Sequence, residues 1–95
     1  MSAREARCAF RGGEIVRLLH DYPHLNLQAE DQGYVWGVYD TDPPMYEADF
    51  YRRDGSGVAM MFEAKDVALV SDPRDVQIPQ EVLEFWKIAN DAKPT

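Results

Sequence analysis

Two imidazoles and a carboxylate fall within five residues at His20-Asp21-Tyr22-Pro23-His24, the start of a metal site by residue type and spacing. Zinc is held by three or four ligands with supporting partners behind them. Asp31 would be the fourth group, and no pattern places it beside the pair. His20 and His24 are therefore read as solvated loop residues, and no metal or cofactor is expected. Cys8 would need a neighbouring imidazole to act as a nucleophile. Its neighbours are Arg7, Ala9 and Phe10, so it is read as a small hydrophobe. The chain has no glycine-rich phosphate loop, nucleophile elbow or paired-histidine helix motif. Carboxylates such as Glu47, Asp49 and Glu63 could gather in a cleft, but the expectation is a protein that is not an enzyme.

The aromatic residues offer more. Tyr34, Trp36 and Tyr51 recur beside Glu47 and Asp49. Rings and carboxylates on one surface suit a peptide bearing Lys or Arg, through cation–π contact and ion pairing together. Phe85 and Trp86 add a second aromatic pair near the C-terminus. The alternative packs Trp36 beneath a C-terminal helix against Trp86, since tryptophan is well buried on average. Exposure separates the two arrangements.

Five short segments must position these groups. Glu14–Leu19 carries β-branched Ile15 and Val16, and Gly33–Tyr39 (GYVWGVY) is aromatic and β-branched with no helical period. A bulge at Gly37 would turn Val35 and Val38 to the same side. Tyr46–Tyr51 alternates, with Tyr46, Ala48 and Phe50 on one face and Glu47, Asp49 and Tyr51 on the other. Arg53-Asp54-Gly55-Ser56-Gly57 provides hairpin glycines leading into Val58–Phe62. A tight turn at residues 63–66 precedes Val67–Val70. Residues 20–32 read as a long loop and 40–45 as a turn. Such a set of strands suggests a closed or nearly closed barrel without free edges.

Beyond a linker at 71–78, Pro79 stands where a first helical turn accepts it. Val82, Phe85, Trp86 and Ala89, widened by Leu83 and Ile88, form a stripe over residues 79–91. The stripe is wider than one side of a small barrel requires, so the helix caps the barrel, meets a partner, or does both. Residues 1–13 read as a short arm, frayed or helical.

One domain accommodates the whole, with 14–70 as its barrel, because 95 residues leave no room for another. The 10 Lys and Arg against 17 Asp and Glu give a net charge of −7. Residues 1–20 carry +2, from Arg4, Arg7, Arg11 and Arg17 against Glu5 and Glu14, which leaves −9 on the remainder. That sign opposes nucleic acid and anionic membranes; nucleic-acid binding through the basic arm ranks last. One cysteine, no secretory leader and no span of the roughly 18 apolar residues that cross a bilayer indicate a cytoplasmic protein.

The pattern Glu14-Ile15-Val16-Arg17-Leu18, the loop to Gly33, Val35, Val38-Tyr39, Tyr46-Glu47-Ala48-Asp49-Phe50, Asp54-Gly55 and Asp66-Val67 resembles a family of short bacterial proteins of unknown function. The resemblance covers about residues 14–70 and implies a stand-alone SH3-like barrel. The family often has Gly-Asp before the loop glycine, where this chain has Glu30-Asp31, and the helical tail is additional. Residues and resemblance together give a mainly β fold: a five-stranded SH3-like barrel with a C-terminal α-helix. The expected function is a non-enzymatic protein-interaction or accessory module, binding a basic protein or peptide through Tyr34, Trp36, Glu47, Asp49, Tyr51, Phe85 and Trp86. Homo-oligomerisation through the C-terminal helix is a further expectation. The rival is a small-ligand-binding or enzymatic domain, which requires a pocket with converging polar groups.

Overall fold

The computed structural model describes residues 9–91. Five antiparallel strands form one sheet: β1 (Ile15–Leu18), β2 (Gln32–Tyr39), β3 (Met45–Tyr51), β4 (Gly57–Glu63) and β5 (Val67–Leu69), followed by the helix α1 (Gln80–Asp91). Their order across the sheet is β4-β3-β2-β1-β5. The fold is thus mainly β with one C-terminal helix, and each expected strand forms within a residue or two of its expected ends.

Closure does not follow. β4 and β5 end the sheet at opposite sides and are not paired with each other, so two edges remain. The 3₁₀ turn Ala64–Asp66 separates them, and the three residues of β5 are committed to β1.

Alternation in the sequence divides the molecule into two apolar layers. Val16, Leu18, Val35, Tyr46, Ala48, Phe50, Met60, Phe62 and Val67, drawn from all five strands, fill the concave side of the sheet. The expected facing of β3 is observed, with Tyr46, Ala48 and Phe50 buried and their neighbours half-buried. Gly33 permits this packing: a Cβ there would lie 2.6 Å from Cδ1 of Phe50. The bulge falls at Trp36, between the pairs Val35↔Ala48 and Gly37↔Glu47. It returns Val35 and Val38 to one side, as expected, since Val38 pairs with buried Tyr46. Val38 itself lies at the open end of the sheet and is exposed.

The convex side is covered by the tail. Tyr34, Ile78, Leu83 and Trp86 form a second buried cluster, joined by Ile15, Trp36, Tyr51, Val76 and Val82. Gln32 fixes the linker that carries α1 across: its Nε2 donates to Asp75 O at 2.8 Å, and its Oε1 accepts from Gln77 N at 2.7 Å.

The arm also differs from expectation over its described part. Phe10 is buried, with its ring edge-on to Tyr46 at 5.1 Å, and Ala9 N donates to Tyr46 Oη. Phe10 therefore belongs to the core, while Ala9, Arg11, Gly12 and Gly13 around it stay exposed. The rest of the expected arm, with Arg4, Arg7 and Cys8, lies outside the described residues.

Candidate functional site

Register brings the sequence-predicted site residues into rows across the convex face. Ile15, Tyr34, Asp49 and Ala59 stand side by side on β1 to β4, and the next row holds Gly37, Glu47 and Met61. Tyr34, Trp36 and Tyr51 do share a face with Glu47 and Asp49, but that face is not open. Tyr34 is only 8% exposed, and Trp36 and Tyr51 are half-buried against α1. Trp86, 9% exposed, lies edge-on to Tyr51 at 6.5 Å. The exposed aromatic surface drawn from Tyr34, Trp36 and Tyr51 is thus corrected to a packed layer. Burying three large rings beneath an amphipathic helix removes more apolar area from water than leaving them open.

What stays accessible is the rim of that layer. Phe85 is 68% exposed and Ile88 70%, on the side of α1 turned away from Leu83 and Trp86 and beside the exposed acids Glu81 and Glu84. Between α1 and the end of the sheet runs a groove of about 360 Å³, lined by Asp49, Gly57, Ala59, Phe85, Trp86 and Asn90 among others. Among the described residues Asp49 is the one charged residue lining it, and no hydrogen bond or ion pair engages its carboxylate. A half-buried carboxylate beside two rings attracts a cation that also offers an apolar stem.

Glu47 and Glu63 are engaged elsewhere, so these two do not gather with Asp49 in a cleft. Glu47 Oε1 accepts from Tyr39 Oη at 2.8 Å, and that bond to an anion holds the Tyr39 phenol above its ordinary pKa of 10.0. Glu63 caps the 3₁₀ turn, its carboxylate accepting from Asp66 N while Glu63 N donates to Asp66 Oδ2 at 3.0 Å.

The histidine motif does not converge either. His20 and His24 are exposed, and Asp21 Oδ1 accepts from Ala29 N at 2.8 Å. Asp31 is buried at the far end of the loop, accepting from Gln28 N and facing Arg53 Nε at 3.3 Å. Among the described residues no cluster of three metal-ligating side chains occurs. Nor is any helix among them long and apolar enough to cross a membrane.

A polar cleft of about 490 Å³ lies where β2 begins, between Arg17, Glu30, Gln32, Arg74 and Gln77. Its cations are answered locally, Arg17 by Glu30 at 2.7 Å and Arg74 by Asp72 at 2.8 Å. Gln32 was missed by sequence reasoning, and the available signal was a neutral amide at the mouth of a strand otherwise rich in apolar residues. Compared with protein-family models, curated proteins and solved structures, the chain matches none of them.

Proposed function

We propose that this protein is a non-enzymatic interaction module that takes a basic segment of a partner protein into the groove between α1 and the end of the sheet. The observation that carries this reading is the free carboxylate of Asp49 beside the exposed ring of Phe85 and the edge of Trp86. Charge complementarity supports a basic occupant: the chain carries −7, and among the described residues no cation lines the groove. The same surface takes the place of the Tyr34, Trp36 and Tyr51 face, with Glu81 and Glu84 beside it. The fold reading we favour is a partly open SH3-like barrel of the kind the resemblance above implies, supported by the antiparallel order that sets β5 beside β1. The cytoplasm, where a solitary cysteine stays reduced, is the compartment this reading favours.

A labelled Lys-rich peptide titrated by fluorescence anisotropy tests the proposal. Asp49→Asn and Phe85→Ala should each weaken binding about tenfold, the effect of losing roughly 1.4 kcal/mol, with the thermal midpoint almost unchanged. Equal affinity for Lys-rich and Glu-rich peptides would remove it.

A further inference from the structure

The groove opens directly onto the free edge of β4, and the backbone there is specific about what it offers. Arg52 N donates to Ser56 O at 2.7 Å across the β3–β4 hairpin. Alternation from that bonded pair directs the peptide groups of Val58, Met60 and Phe62 toward β3, and those of Gly57, Ala59, Met61 and Glu63 outward. The bond from Glu63 N to Asp66 Oδ2, which leaves the strand on its outer side, independently gives the same parity. Among the described residues no other segment bonds to the backbone of Ala59 or Met61. Edge strands of natural proteins are blunted by shortness, lysine, proline, bulges or inward charges. β5 is blunted by its three residues, whereas β4 runs seven in unbroken register with β3 and carries no charge before Glu63. Met61 is 49% exposed on the convex side.

We infer that the partner segment binds as an added sixth strand on β4, with its N–H and C=O groups bonded to Ala59 and Met61 and its side chains alternating between basic and apolar. This deepens the preceding proposal and rests on its basic occupant. Side chains of the added strand opposite Ala59 and Met61 stand on the convex side. The one facing Ala59 lies in the row that continues to Asp49, about 10 Å away at two strand spacings. A Lys or Arg stem spans that distance by lying over the small Ala59 side chain, with Phe85 and Trp86 along its flank. Side chains opposite Val58 and Met60 point to the concave side, where the core is at its rim, and apolar residues suit that position. Backbone bonds supply affinity, and the alternation supplies selectivity.

The probe is the peptide acetyl-Lys-Val-Lys-Val-Lys-Val-amide and the same peptide N-methylated at alternate residues, titrated against the full chain. Amide hydrogen exchange of the protein is followed by NMR, and its mass by light scattering. The expected result is slowed exchange at Ala59 and Met61 on addition of the plain peptide, and at least tenfold weaker binding of whichever N-methylated register blocks the edge. Ala59→Pro removes an outward N–H without breaking a bond to β3, and should cost a similar factor. The N-methylated peptides give the same answer without touching the protein's own folding. Equal binding of all peptides, with no protection on β4, would overturn strand addition and leave the groove reading standing. Failure of every peptide to bind overturns both. Protection of β4 without peptide, with the mass of a dimer, assigns the edge to a second copy and overturns the inference.

Discussion

At the residue scale, two positions carry constraints that side-chain type alone does not announce. Glu30 has φ +78°, in the left-handed region where a Cβ is strained, and it also pairs with Arg17. Glu30→Gly relieves the strain and Glu30→Ala does not, while both delete the ion pair. The glycine variant should therefore be more stable than the alanine variant by about 1 kcal/mol in urea unfolding. Equal midpoints would mean that the loop relaxes around the position. Gly33→Ala pushes a methyl into the fully buried ring of Phe50 and should cost about 1–3 kcal/mol in the same assay. Tyr39 supplies a pH-dependent case. Its folded pKa is raised by Glu47, so the stabilising bond is present below the unfolded value of 10.0 and lost as pH rises through the folded one. Glu47→Gln should bring the Tyr39 ring titration, followed by NMR, down toward 10.0.

At the element scale, α1 has two faces with opposite consequences. Leu83 and Trp86 seal the convex side of the sheet, while Phe85 lies outside it. Trp86→Ala should cost about 3–5 kcal/mol, a large share of the 5–15 kcal/mol that a domain commands. Phe85→Ala should change stability by no more than about 0.5 kcal/mol. Thermal unfolding of the pair checks both, and a large loss in the Phe85 variant would mean that the ring packs on the domain. Trp36→Ala belongs with Trp86→Ala, because the bulge turns its ring under the helix. Strand positions were legible because alternation and turn residues are local signals: YEADFY writes its own two faces. Helix amphipathicity was equally legible, as was the width of the stripe. What covers what was not, because the choice between an open Tyr34–Trp36–Tyr51 face and a packed one depends on where Gln32 anchors residues 75–77. Closure failed for a similar reason: five strands in sequence do not specify whether the first and last edges meet. Asp49 was named from its alternation with Phe50, but its isolation in a groove required the helix to be placed.

At the scale of the whole molecule, −7 charges on so small a domain act on folding and on association with opposite sign. Like charges crowd together on folding, so salt that screens them favours the folded state. The same charges draw a basic segment toward the groove, so salt that screens them slows encounter. Between about 20 mM and 150 mM NaCl the Debye length contracts from roughly 20 Å to 8 Å. The thermal midpoint should therefore rise over this range while the association rate of the Lys-Val peptide falls several-fold. Its dissociation rate, set by short-range contacts and strand bonds, should change little. Stopped-flow mixing and calorimetry on the same samples measure both. An association rate indifferent to salt would show that the acidic surface does not steer the partner, and the groove's selectivity would then rest on Asp49 and the edge of β4 alone.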